Sequence, residues 1–453
     1  MHRTSRSALL AATALLSWMV PSMCRAGNDE GILLGNDAAL AAGAVTATAG
    51  DGGALQYNVA LIGAVRRSQL DASGNLFLYR INEVPQLLRA TSGETAGVSG
   101  LEVNAVPSAL TFLRRLGDGV TAGFGLFVTD ATAFSQRAVL EAMGPPASRF
   151  RIDTTEVVRN WHGTLGFGFE LGPELRLGFR LYLDAENRQV NASFWGDYAG
   201  GTGATEGLIG VSVRSNLDLV GIGAGLGLHW APGNGFELGL SVLSPRLDLA
   251  ASYSVSEVVL LGRSDTAGAG LLYEPTDETD LLIDVASQRP LVVRLGLAYR
   301  WARGWIALDG DLRTPNLDDR VRPRNVSANV RLGTRVLLDE TWSVGGGLFT
   351  DLSPYPGLRI GVEGTGERRL DFVGATFGAA MRNRVSVSDT DQASDIIFVT
   401  TVAARYAYGW GQGIGLLAQV PPDFSASLVP IEEVLGPATT HELSLHVGSG
   451  MEF

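Results

Sequence analysis

The chain has 453 residues, 18 % of them charged, with 58 glycines and a formal net charge of −12. Mean hydropathy is positive at +0.15, yet past the N-terminus no run approaches the roughly 20 apolar residues that a spanning helix needs. Dispersed hydrophobicity argues against helical membrane spans, and the acidic balance argues against a nucleic-acid partner.

Residues 1–26 read as a signal peptide. Arg3 and Arg6 give the basic start, Ala8 to Val20 the apolar stretch, and Cys24-Arg25-Ala26 a small residue at the cut. Cys24 is the only cysteine, so the exported chain is expected to carry no disulfide and no Cys-based metal site. There is no lysine, and every basic residue is Arg. High-GC codon usage accounts for that; Arg forks gripping the phosphates of lipopolysaccharide would account for it too. Residues 27–66 are rich in Ala and Gly, with Gly50-Asp51-Gly52-Gly53 in the middle. Leu55 to Leu61 is too apolar for a plain linker, and a small-residue segment of this kind can fold inside a barrel lumen.

From Leu70 onward, alternation with period two repeats, the mark of strands with one apolar face. Leu165, Phe167, Phe169 and Leu171 lead through Gly172-Pro173 to Leu175, Leu177, Phe179, Leu181 and Leu183. Leu226, Leu228 and Trp230 lead through 231–235 to Phe236, Leu238 and Leu240. The pattern predicts about fourteen strands: 69–82, 105–116, 119–130, 153–171, 174–196, 207–230, 235–257, 288–302, 304–313, 324–338, 341–351, 367–382, 395–409 and 440–453. Tight turns alternate with long connections such as 83–104 and 258–287, as in transmembrane barrels; 383–394 is longer than that rule allows. Trp230, Trp301, Trp305 and Trp342 sit beside the short turns, where an interfacial girdle belongs. In the last strand Leu443, Leu445, Val447, Ser449, Met451 and Phe453 share one face. A C-terminal aromatic on such a strand fits an outer-membrane barrel handed to the barrel assembly machinery through Phe453. The expected fold is therefore all-β: a transmembrane antiparallel barrel, residues 67–453, behind residues 27–66.

Signals for catalysis are poor. His2, His162, His229, His441 and His446 show no metal-ligand spacing and flank no nucleophile motif. The glycines of 221–227 alternate as in a strand, and no helix pattern follows, so they do not read as a nucleotide loop. Asp389, Asp391 and Asp395, or Asp277, Glu278 and Asp280, lack the spacing of a calcium loop. No cofactor, metal or enzyme activity is expected. Arg176, Arg180, Arg294, Arg300, Arg331 and Arg335 fall on the predicted lumen face; a one-residue slip would turn each to lipid, at a cost of roughly 2–4 kcal/mol at mid-depth. Inward Arg could pair with a ligand carboxylate, or could neutralise inward acids.

Leu55-Gln56-Tyr57-Asn58-Val59-Ala60-Leu61, Leu226 to Trp230 with Leu238 to Ser241 and Ser244-Pro245, Arg294 to Arg300, and Gly347 to Asp351 with Ser353-Pro354 together resemble the FadL-type family of outer-membrane transporters for long-chain fatty acids and aromatic hydrocarbons. The resemblance implies a fourteen-stranded barrel plugged by an N-terminal hatch. A hydrophobic ligand would be caught outside, held within, and released after the hatch rearranges, sideways through a gap in the wall. Tyr57, Asn58, Val59 and Ala60 correspond to the hatch motif, with Val59 where the family has Pro, which removes a fixed backbone turn. The family's wall opening maps to about Gly119–Asp130, where Gly123 and Gly125 face inward and could mark a kink. Arg176, Arg180, Arg294 and Arg331 become candidate partners of a fatty-acid carboxylate. The expected partners are a hydrophobic small molecule and the lipid and lipopolysaccharide of the outer membrane. The alternatives are an open diffusion porin for polar solutes, which needs no plug before its first strand, and a structural barrel.

Overall fold

A computed structural model describes residues 31–453, apart from 91–93, 143–147, 199–206, 264–271, 281–289, 316–323, 359–367, 388–393 and 419–430. The signal peptide expected at 1–26, together with Asp389 and Asp391, lies outside the described residues. So do the side chains of Asp277, Glu278 and Asp280.

The chain folds as a closed antiparallel β-barrel of fourteen staves. Sixteen segments build them: β1 (Gln69–Ala90), β2 (Thr95–Gly117), β3 (Val120–Ala142), β4 (Ser148–Glu170), β5 (Leu175–Tyr198), β6 (Gly207–Trp230), β7 (Phe236–Leu243), β8 (Leu247–Arg263), β9 (Leu272–Asp280), β10 (Val292–Trp301), β11 (Gly304–Arg313), β12 (Ser327–Leu337), β13 (Trp342–Asp351), β14 (Arg368–Val387), β15 (Ser394–Ala418) and β16 (Ile431–Glu452). β7 and β8 are one stave broken at 244–246, since β6 pairs with both. β9 and β10 follow one another down the far side of that stave. β1 pairs with β16, which closes the ring.

Side chains alternate as the pleat requires. In β10, Arg294, Gly296 and Ala298 are buried while Leu295, Leu297 and Tyr299 are exposed. Outward leucines and phenylalanines form a band around the whole barrel, and polar or small residues face the bore. That inversion of a soluble core is the signature of a barrel in lipid. Phe236, Tyr299, Trp301, Trp230 and Trp342 are exposed at the short-turn end. At the other margin Tyr406, Tyr408 and Trp410 gather with His441, whose Nδ1 is 2.9 Å from the Tyr406 hydroxyl. From the Phe398–Met451 pair to the Tyr408–His441 pair is ten residues, or about 25 Å of membrane normal at the usual strand rise and tilt, which matches the apolar band of such barrels.

Several expectations need correction. The stretch 83–104 is mostly strand, because β1 and β2 continue to Ala90 and from Thr95. β16 likewise starts at Ile431 and β14 runs on to Val387. These extensions lie beyond the lipid, those of β1, β2 and β16 at the outer end and that of β14 at the short-turn end, where the outward face is no longer apolar and the alternation in sequence fades. Trp305 does not join the girdle: it points inward and is 5 % exposed within the luminal apolar cluster.

Leu297 lies mid-depth on the lipid face, opposite Leu238 and Leu308. Leu297→Arg should destabilise the folded barrel by about 2–4 kcal/mol in denaturant titrations into lipid vesicles.

Candidate functional site

Inside the bore lies the N-terminal segment. It carries α1 (Asn36–Leu40), α2 (Ala54–Tyr57) and a 3-10 turn over Val59–Ala64, joined by loops that are also buried. Asn36 meets His446 of β16, and Ala39 and Leu40 pack on Ala380 of β14 and Ala403 of β15. Ala41 and Leu40 rest on Gly333 of β12 and Gly345 of β13. Thr46 reaches Gly239 of β7, Gly296 of β10 and Asp309 of β11. Gly52 donates to Asp71 of β1 at 3.0 Å and lies against Thr111 of β2. Leu55, Val59 and Ala60 then cover β3 to β6. A segment that meets all fourteen staves of a closed barrel lies across its bore.

The inward glycines make this contact possible. Leu55 enters a socket formed by Gly123, Gly125 and Gly166, on three different positions of β3 and β4. A Cβ on Gly178 would come within 2.5 Å of the Val59 carbonyl carbon, and one on Gly227 within 2.7 Å of the Ala60 nitrogen. Backbone here packs directly on backbone, which only a residue without a side chain permits.

Polar ties fix the docked position. The Asn58 amide is fully buried and donates to the Thr46 carbonyl at 2.8 Å and to the Leu228 carbonyl of β6 at 3.0 Å, while its Oδ1 accepts from Ala60 N–H at 3.1 Å. Asn58 thus caps the 3-10 turn and joins both limbs of the segment to the wall. Arg180 donates to the Leu55 carbonyl and to Gln56 Oε1 (3.1 Å), and Arg294 to the Gln56 carbonyl at 2.9 Å, with its guanidinium 5.6 Å from the Tyr57 ring centre. The two limbs are also stapled by carboxylates. Asp51 accepts from the N–H groups of Asn36, Asp37 and Gly53, Asp37 accepts from Gly50 N–H at 2.8 Å, and Arg335 of β12 holds the other Asp37 oxygen. Burial pushes the Asp51 carboxyl well above the ordinary carboxylate range, and the neighbouring charges of Asp37 and Asp71 push the same way.

At Val59, where the resemblance would place Pro, the turn is formed. It is the first residue of the 3-10 stretch, where an N–H has no partner within the turn. Asn58 before it sits at φ −154°, ψ 103°, the extended region that a following Pro would also demand.

Among the described residues, the seam between β2 and β3 is irregular. β2 and β3 pair from the turn up to Ala109 and Phe127, and among the described residues no further pair joins them. Both strands nevertheless continue, β2 paired with β1 and β3 paired with β4. Each carries a bulge where the seam parts. Ser108 is skipped in the β1–β2 register, and Thr129 in the β3–β4 register. Bulges bend a strand and end pairing, and Pro107 beside the first has no N–H to offer a ladder. Phe127 lies seven residues above Val120, or about 18 Å above the turn, so the seam opens in the outer half of the apolar band. Its inner lip is apolar: Val106, Phe127 and Val128, with Phe77 of β1 and Leu113 lower on β2, belong to the same buried cluster as Leu55, Tyr57 and Val59.

Gly123 and Gly125 are therefore not the kink. They lie in the paired part of β3, and their lack of a side chain serves Leu55. The departure at Ser108 and Thr129 carries no glycine. Pro107 was its one visible sign. The four candidate arginines are all inward but do not converge, and each has an acceptor within the protein. Arg176 stands 3.0 Å from His229 Nδ1 and 3.9 Å from Glu170, and Arg331 lies 2.7 Å from Asp311. Arg180 and Arg294 grip the segment. Their partners were not legible because backbone carbonyls carry no residue signature.

No protein-family model matches the chain, and no curated relative matches it. Solved structures do. A FadL homologue from Pseudomonas aeruginosa superposes with a TM-score of 0.60 at 12 % identity, covering 94 % of this chain and 99 % of its own. The toluene transporter TodX of Pseudomonas putida gives 0.58 at 14 %, covering 94 % and 99 %. The toluene transporter TbuX of Ralstonia pickettii gives 0.50 at 13 %, again covering 94 % and 99 %. This chain has their fold.

Val59→Pro should leave the segment docked and stabilise it by about 0.4–1 kcal/mol through the undocked state, read from hydrogen-exchange protection of residues 55–64. The raised Asp51 pKa means the docked state holds its proton more tightly than the free segment does. Docking is thus favoured at low pH and weakens as pH rises through the raised value. Proteolysis within residues 36–56 should be faster at pH 8 than at pH 5, and Asp51→Asn should remove that difference.

Proposed function

We propose that this protein carries small hydrophobic compounds, long-chain fatty acids or aromatic hydrocarbons, across the outer membrane. The N-terminal segment acts as the hatch, and the seam between β2 and β3 is the exit. One observation carries the reading: a single apolar cluster runs from Leu55, Tyr57 and Val59 in the middle of the bore to Phe127, Val106 and Val128 at the parted seam. A hydrophobic solute that displaces these packed side chains meets apolar groups from the bore to the seam. A polar solute gains nothing from them, and a bore crossed by a segment on every stave does not suit an open porin. The similarity to transporters named for toluene supports the same cargo class. The arginines that meet Leu55, Gln56 and Tyr57 fit hatch latches better than ligand partners, since release of their carbonyl acceptors accompanies any hatch movement. Export by a cleaved leader over residues 1–26 and assembly through the Phe453 strand complete the proposal.

The refolded full-length barrel in a planar bilayer should conduct ions poorly, and a chain lacking 27–66 should conduct steadily. A large steady conductance of the intact protein would overturn the hatch and point to a porin. Gly178→Val with Gly227→Val removes the backbone contact while keeping the segment; conductance should move toward that of the truncated chain.

A further inference from the structure

Above the point where the ladder ends, the seam is not empty. Two β2 side chains cross it. Glu102 Oε1 accepts from Ala133 N–H of β3 at 3.0 Å, and Asn104 Nδ2 donates to the Ala131 carbonyl at 3.3 Å. These replace backbone pairing with longer side-chain links, so the strands stay apart while polar groups facing the gap are satisfied. Unpaired strand edges are otherwise open to pairing with another chain. Glu102 is itself held from behind. Its Oε2 accepts from Arg80 Nη1 at 3.2 Å, Arg80 Nε donates to Glu442 Oε1 at 2.7 Å, and Arg405 Nη1 donates to Glu442 Oε2 at 3.1 Å. The chain Arg405–Glu442–Arg80–Glu102 thus runs from β15 through β16, β1 and β2 and ends on a β3 amide. Every member is nearly buried, with side-chain exposures of 5–11 %. A buried, hydrogen-bonded charge network of this kind holds its members to one geometry.

We propose that Glu102 and Asn104 form a clasp that sets the upper edge and the width of the exit slot, and so selects cargo by cross-section. This rests on the reading of the seam as the exit. The slot lies between the last ladder pair, Ala109–Phe127, and the Asn104–Ala131 link. Five residues of β2 separate the two, about 16 Å along the strand. Flat single rings and extended chains pass beneath the clasp; broad fused-ring molecules do not. Arg80 is a positioning residue, acting through the orientation of Glu102.

The test uses intact Gram-negative cells producing each full-length variant in a Cys24→Ala background as their transporter of this type. Initial uptake rates of radiolabelled toluene and pyrene are compared, normalised to barrel folded by heat-modifiability. Glu102→Ala with Asn104→Ala should raise the pyrene-to-toluene ratio by about tenfold, the discrimination that small changes in a pocket typically command. Glu102→Gln keeps an acceptor for Ala133 N–H and should leave the ratio near that of the parent, which separates the clasp from a general loosening of the wall. Val106→Cys with Val128→Cys, bridged by a short bis-maleimide, should stop uptake of both probes. If bridging stops uptake but the alanine variants leave the ratio unchanged, the clasp is wrong and the exit stands. If the bridged barrel still takes up toluene, both fall.

Discussion

Every feature of this molecule depends on one constraint: within lipid, backbone amides and carbonyls must find partners in the protein. A closed ladder of fourteen staves meets it and leaves the outer face free to be apolar. Because hydrogen bonding closes the wall, the inner face has no obligation to build a core. It can be stripped to glycine, and at Gly123, Gly166, Gly178, Gly227, Gly239, Gly333 and Gly347 it is. Glycine weakens an isolated strand; here both neighbouring strands hold it in register.

The bore is filled by a segment with little regular structure of its own. α1 and α2 span five and four residues, far too short to persist alone. Their stability comes from sockets in the wall and from a few buried polar ties, above all Asn58 to Thr46 and Leu228 and the arginines 180 and 294. These contacts tie the segment to every stave through side chains and close packing rather than through a backbone ladder. For the hatch movement proposed above, that arrangement is an advantage. Asp51 adds to it, since a carboxyl buried beside Asp37 and Asp71 opposes docking once ionised.

The seam between β2 and β3 is where the governing constraint is relaxed. Paired bulges at Ser108 and Thr129 turn two strands away from each other while each keeps its outer neighbour. Side chains take over part of the bonding that the backbone gives up. The parted seam borders the apolar cluster of the lumen in the outer half of the lipid band.

Much of this was legible in the residues. Period-two alternation located all fourteen staves, and the lumen face of Arg176, Arg180, Arg294 and Arg331 followed from parity, because a strand in lipid cannot place Arg outward at mid-depth without penalty. Strand length outside the membrane was not legible: around Pro85 and in Thr95 to Asn104 the alternation is lost once the outer face meets water. The direction of Trp305, the socket role of Gly123 and Gly125, the tolerance of Val59 at the first position of a turn, and the carbonyl partners of Arg180 and Arg294 are all decided by contacts between residues far apart in the sequence or by backbone atoms that look alike in any sequence. Local periodicity records only which face meets lipid. What fills the other face, and where the wall parts, depends on how the staves close around the segment, and the tertiary structure alone decides it.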